Sequence, residues 1–149
     1  MMYAIGSDHG GYELKEKVKK YLKDKGYEFF DFGTHDKQSC DYPKFALDVA
    51  ESVACGKYKA GILICGTGIG ISIAANKVPG IRAALCDNQF EAKYTRLHND
   101  ANILCMGGRV LGEGVACEIA DTFLTTEFEG GRHKRRIDMI TEIEKKYSK

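Results

Sequence analysis

Cys65 has the greatest chemical potential in this chain: it ends the apolar run AGILIC (60–65) and precedes GTGIG (66–70). A thiol at the carboxyl end of a buried strand, beside a helix N-terminus, sits where exposed amides and the helix dipole favour the thiolate. The plain alternative is a small core hydrophobe. Gly66, Gly68 and Gly70 let the backbone turn sharply and bring its amides against a ligand, so the loop reads as an anion cradle. The same G-x-G spacing occurs in dinucleotide folds, P-loop relatives and ordinary turns. Asp8-His9 offers a carboxylate and an imidazole at another strand end, with a helix cap as the alternative. His98, within RLHND (96–100), stands at a helix C-terminus, where a histidine is comfortable without any catalytic task. GGRHKRR (130–136) is the densest charge cluster; Arg132 and Arg136 are four apart, share a helix face and suit a phosphate. A solvated helix face is the bland reading of that cluster, and a nucleic-acid patch goes with basic domains and exposed aromatics.

These residues need elements to position them. Met2 to Ser7 reads as a strand, and Leu14, Val18, Tyr21 and Leu22 mark a helix over Tyr12 to Lys25 closed by Gly26. Tyr27 to Phe32 is the second strand, Gly33 to Asp41 a polar loop ending in Tyr42-Pro43, and about Lys44 to Ala54 a helix. After the strand at Ala60 to Cys65 and the helix behind the glycines, Arg82 to Cys86 is a fourth strand. Asn88 to Leu97 is a helix with Phe90, Tyr94 and Leu97 on its apolar side, and Ile103 to Met106 a fifth strand. Leu111 to Thr125 is helical by Leu111, Val115, Ile119 and Phe123, and a charged last helix, about 132–147, carries Ile137, Ile140, Ile143 and Tyr147.

Such alternation predicts an α/β fold, a three-layer, doubly wound, Rossmann-like sheet of about five parallel strands. Ligands then bind beyond the strand carboxyl ends, where the strand order reverses. With strand one between strands two and three, the reversal brings Asp8-His9 beside Cys65. Two clusters far apart in sequence thus converge for a topological reason.

The 149 residues suffice for one domain, 1–149, and are too few for two comfortable ones. A net charge of +1 asks for no nucleic acid or acidic membrane, so any basic site is local. No apolar run approaches a membrane span and the N-terminus has no secretory pattern, so the expected location is cytoplasmic. The six cysteines are spread without a C-x-x-C pair, which favours reduced thiols and argues against structural zinc.

SDHGG (7–11), DYP (41–43), ICGTGIGISIAANK (64–77), RLHND (96–100), GGRV (107–110) and EGGRH (129–133) occur in the order found in the B-type ribose 5-phosphate isomerases, with the related allose- and galactose-phosphate isomerases. Together they span essentially the whole chain, which resembles that family closely. The resemblance implies interconversion of D-ribose 5-phosphate and D-ribulose 5-phosphate in the pentose phosphate pathway, without metal or organic cofactor. It implies Cys65 as the base between C2 and C1 and the amides of Gly66, Thr67, Gly68, Ile69 and Gly70 as an anion hole for the enediolate. His98 is implied as the ring-opening group, Asp8 and Thr67 as partners of the sugar oxygens, and Tyr42 and Asn99 as positioning residues. His9, Arg132 and Arg136, with Arg109 nearby, are implied as the phosphate clamp. One branch of the family has a glutamate base where Ile71 stands here, so this chain resembles the cysteine branch. The family's homodimer implies sites built from both subunits, with His98, Asn99 and Arg109 facing a neighbour's Cys65, the last helix packing on a partner, and a tetramer as a further option. A six-carbon substrate such as allose 6-phosphate is the alternative within the class; a non-catalytic sugar-phosphate sensor is the alternative outside it.

Overall fold

A computed structural model describes residues 1–148. Strand and helix alternate as β1 (Met2–Ser7), α1 (Tyr12–Asp24), β2 (Glu28–Asp31), α2 (Tyr42–Ala54), β3 (Gly61–Cys65), α3 (Ile69–Ala75), β4 (Ala83–Leu85), α4 (Gln89–Asn99), β5 (Ile103–Gly107), α5 (Glu113–Thr125) and α6 (Arg132–Tyr147). All strand pairings are parallel and the order is β2-β1-β3-β5-β4. β1 lies between β2 and β3, so the expected reversal stands between β1 and β3. A second reversal follows, because the chain steps past one position to the edge strand β4 and β5 returns into the gap.

Right-handed crossovers convert this order into layers. The steps β2 to β3 and β3 to β4 run the same way along the sheet and put α2 and α3 on one face. The steps β1 to β2 and β4 to β5 run the other way and put α1 and α4 on the opposite face, where α5 joins them. The buried clusters divide accordingly. Leu14, Val18, Leu22, Ile119 and Phe123 cover Ile5, Ile62, Ile64 and Leu104 on one side. Ala46, Val49, Val53, Ile71 and Ala75 cover Ala4, Leu63, Cys65 and Ile103 on the other. Every residue of β3 and of β5 is buried, which is why both read as continuous apolar runs with no alternation.

Four helices depart in detail from the sequence reading. α2 begins at Tyr42, because Pro43 occupies its first turn, where a missing N–H forfeits no helical bond. α4 turns Ala92 and Thr95 inward, while Phe90 is 69% exposed. The Asn88 side chain fixes that phase by accepting from the Glu91 amide at 2.8 Å as Glu91 accepts from the Asp87 amide at 2.7 Å. On α5, Val115 is exposed; on α6 only His133 and Ile137 are buried, leaving Met139, Ile140, Ile143 and Tyr147 exposed. Among the described residues no helix is long and apolar enough to cross a membrane.

Candidate active site

The loops after β1, β3 and β5 meet at the carboxyl edge of the sheet. Asp8 donates its amide to the Ile64 carbonyl at 3.3 Å, Gly108 to the Cys65 carbonyl at 2.8 Å, and Arg109 to the Gly66 carbonyl at 3.0 Å. The approach is close enough that a Cβ on Gly108 would lie 2.6 Å from the Gly10 carbonyl oxygen. The loop after β2 closes the fourth side: Ser7 and Thr34 exchange backbone bonds of 2.6 Å with Gly33 and Ser7 respectively. That loop is held by Asp31, which accepts from the Gly33 amide at 2.8 Å and from the fully buried Lys15 ammonium at 2.6 and 2.7 Å.

Cys65 is 4% exposed, with its Sγ accepting from the Gly68 amide at 3.1 Å. Gly68 adopts φ +81°, a left-handed turn that aims its N–H back at the sulfur and starts α3 immediately behind. The Ile69 amide is taken by Thr67 Oγ1 at 3.2 Å. Among the described residues the amides of Gly66, Thr67 and Gly70 have no backbone or side-chain acceptor, so these three are unengaged. Of the five amides expected to form an anion hole, Gly68 serves the thiol instead. Burial pushes Cys86 up to about 12 and Cys105 well above the ordinary thiol value, and all six cysteines are free.

Asp8, His9, Tyr42 and Arg109 also stand at this edge. Asp8 is buried, and its Oδ1 accepts from the Gly11 amide at 3.1 Å, a turn-closing bond that leaves Oδ2 for a ligand. His9 Nδ1 accepts from the Cys40 amide at 3.2 Å, which leaves Nε2 as the donor nitrogen for an anion. The Tyr42 ring rests against α3, since a Cβ on Gly70 would lie 2.6 Å from its Cζ. The Arg109 guanidinium lies against its own chain's Gly66, its Nη1 at 3.1 Å from where a Cβ would be. Arg109 therefore stands beside the Cys65 of its own chain, not across from it.

His98 and Asn99 are not brought there. They end α4, which starts at the carboxyl edge and runs back, so they stand toward the amino edge. The Asn99 carbonyl accepts from Arg82 Nε at 2.8 Å, just before β4, and Asn102 accepts from Gly61 at 3.0 Å, at the start of β3. Between the two edges lie the five residues of β3, a span of about 16 Å. Arg132 and Arg136 lie with this second group on the first turns of α6, where His133 stacks on His98 with ring centroids 3.9 Å apart and planes 11° apart. Glu129 Oε2 is 3.8 Å from His98 Nε2, and the Tyr94 ring centroid is 5.1 Å from that of His98. Burial, helped by the His98 ring and by Arg132 and Arg136 and opposed by Glu129, holds His133 below the ordinary histidine range. Glu129 and His133 belong to the quoted EGGRH motif but drew no role from it. The available signal was a histidine between Arg132 and Lys134 in the first turn of a helix.

The chain matches the family model described as Ribose/Galactose Isomerase over residues 3–140. It is 53% identical over 147 residues to the putative sugar phosphate isomerase YwlF of Bacillus subtilis, covering 98% of this chain and 99% of that one. It is 48% identical over 143 residues to ribose-5-phosphate isomerase B of Escherichia coli, covering 96% of each. Among solved structures, the ribose-5-phosphate isomerase B of Clostridium thermocellum superposes with a TM-score of 0.98 at 60% identity, covering 99% of this chain and 100% of that one. With its sheet order, its glycine loop behind Cys65 and these matches along nearly its whole length, the chain belongs to the ribose/galactose isomerase family.

Proposed function

We propose that this protein is an aldose-ketose isomerase that interconverts D-ribose 5-phosphate and D-ribulose 5-phosphate through a cis-enediolate. The observation that carries the reading is Cys65 at the end of β3, with the Gly68 amide on its sulfur and three unengaged amides around it. A sugar C2 proton is acidic only when its carbanion delocalises onto the neighbouring carbonyl, so a base and an oxyanion site must adjoin. Cys65 takes the proton from C2 and returns it to C1, while the amides of Gly66, Thr67 and Gly70 receive the enediolate oxygen. Preorganised donors in such a role contribute about 3 to 4 kcal/mol each to transition-state stabilisation. Asp8 and Thr67 exchange protons with the sugar hydroxyls, and Tyr42 packs over the bound chain. His9 and Arg109 hold the phosphate from the Cys65 side, which keeps C1 and C2 in register with the thiolate.

The second half of the site comes from another copy in a homodimer. Support for this lies in the separation of His98, Asn99, Arg132 and Arg136 from Cys65 by the height of the sheet. It also lies in the apolar surface that Met139, Ile140 and Ile143 leave on α6 and that Ile69 and Ile73 leave on α3. In the assembled site, His98 of the second copy moves the proton that opens the furanose ring, and Arg132 and Arg136 complete the phosphate clamp. The test is Cys65→Ala assayed by conversion of ribose 5-phosphate. Turnover is expected to disappear with the melting temperature and phosphate affinity retained; near-native turnover would remove Cys65 from the mechanism.

A further inference from the structure

His133 is 5% exposed on α6, and among the described residues no protein group bonds either ring nitrogen; Ser7 Oγ is the one buried side-chain polar atom there without a partner, so the His133 nitrogens lie on an edge open to solvent. Its backbone amide alone is bonded, to the Gly130 carbonyl at 3.1 Å. What the side chain offers the protein around it is a ring face, and that face lies on His98, 3.9 Å between centroids and 11° from parallel. The ligand atoms of His98, Glu129 and His133 lie within 4.8 Å of one another, close enough to raise a metal ion as an alternative. Chelation needs lone pairs that converge on one point, and nearly parallel rings send theirs along parallel lines. The arrangement is organised for stacking.

We propose that His133 is a positioning residue for ring opening: it fixes the plane of the His98 imidazole by stacking on it and does not itself exchange protons with the sugar. The inference rests on the isomerase reading above. The charged and titratable groups facing the pair are Tyr94 from α4, Glu129 from the preceding loop, and Arg132 and Arg136 from α6. Burial and the neighbouring cationic groups disfavour a charge on His133, and two like charges stacked at 3.9 Å would repel each other. A flat aromatic face stacked on the imidazole lets His98 cycle its proton without the two rings parting. Without the platform, His98 keeps its chemistry and loses its orientation.

The experiment compares His133→Phe, which keeps the face, with His133→Ala and His133→Gln, which remove it. Two readouts are taken on each full-length variant. The first is kcat for ribose 5-phosphate. The second is deuterium incorporation from D2O at C1 of ribulose 5-phosphate. With its O5 phosphorylated that ketose stays open-chain, so the exchange needs Cys65 and the anion hole but no ring step. The expected result is a kcat lowered about tenfold or more in the two ring-less variants, part of what a positioned acid–base group contributes. Exchange should stay within about threefold of native, and His133→Phe should recover most of the kcat. Native kcat in both ring-less variants overturns the proposal, as does His133→Phe as impaired as they are, because a ring nitrogen is then what matters. Exchange falling in step with kcat also overturns it, as general damage to the site. Absence of both turnover and exchange in the unmodified enzyme would instead sink the isomerase reading itself, and the proposal with it.

Discussion

Gly68→Ala tests whether the turn behind Cys65 is held by dihedral and by space at once. At φ +81° an alanine is strained, which costs about 1 to 2 kcal/mol. Its Cβ would also fall 2.6 Å from Leu85 Cδ1 and 2.8 and 2.9 Å from the Met106 carbonyl carbon and oxygen. The leucine can swing aside, but the Met106 backbone is part of β5 and moves only if the strand moves, an overpacking penalty of about 1 to 3 kcal/mol. The sum is roughly 2 to 5 kcal/mol, or about 5 to 15 °C in melting temperature for a chain of this size. Gly26→Ala is the control, because φ there is +97° and nothing lies within 4 Å of the added carbon. It carries only the dihedral part and should melt about 3 to 6 °C below native with unchanged turnover. In Gly68→Ala the displaced amide no longer meets Cys65 Sγ, and kcat should fall about 10²-fold at a temperature where the variant is folded. The measurements are calorimetric melts and initial rates on ribose 5-phosphate for both variants. If Gly68→Ala melts with Gly26→Ala, or turns over at the native rate, the close approach of β5 is not what requires glycine there and the amide-to-sulfur bond is dispensable.

Mixing Cys65→Ala with His98→Gln, each inactive alone, should restore about a quarter of native activity after subunit exchange, because half the dimers are mixed and one of their two sites is intact; no recovery would place both residues in one chain's site. Gly70→Ala pushes its Cβ into the Tyr42 ring at 2.6 Å, a flexible end that can rotate away, so stability should hardly change while KM rises several-fold. Lys15→Met leaves Asp31 with only Lys19 and the Gly33 amide, and denaturant unfolding should show a loss of about 1 to 3 kcal/mol. Burial alone would raise the Asp31 carboxyl, but the bonds from Lys15, Lys19 and Gly33 outweigh it and hold it below its ordinary 3.8. Its contribution is therefore complete above about pH 4 to 5 and lost as pH falls toward the lowered folded value, so melts of Asp31→Asn should decline less steeply below pH 4 than native ones.

The order of strands and helices was legible because its causes are local: apolar runs too short for helices, helical spacing of apolar residues between them, and glycine or proline at the breaks. The glycine loop with its cysteine and the convergence of Asp8-His9 upon it followed from the same order plus the handedness of crossovers. Local patterns failed where a residue's neighbours come from elsewhere in the chain. Phe90 has the spacing of a core residue on α4, yet it is Ala92 that packs into the core with Leu104, Met106 and Ala120 from β5 and α5. Tyr42 reads as loop before a proline and is the first residue of a helix, packed on Gly70.

The sequence by itself determined the alternation of elements, the mounting of a thiol before an amide-lined turn, and the residues that belong to the family's motifs. Tertiary structure decided the rest. The insertion of β5 between β3 and β4, the commitment of the Gly68 amide to the sulfur, the return of α4 that carries His98 to the opposite edge from Cys65, and the stacking of His133 on His98 are all contacts between segments distant in the chain. Local propensity acts over a few residues; which segments meet is settled by burying two faces of one sheet, and no short window of sequence contains that constraint.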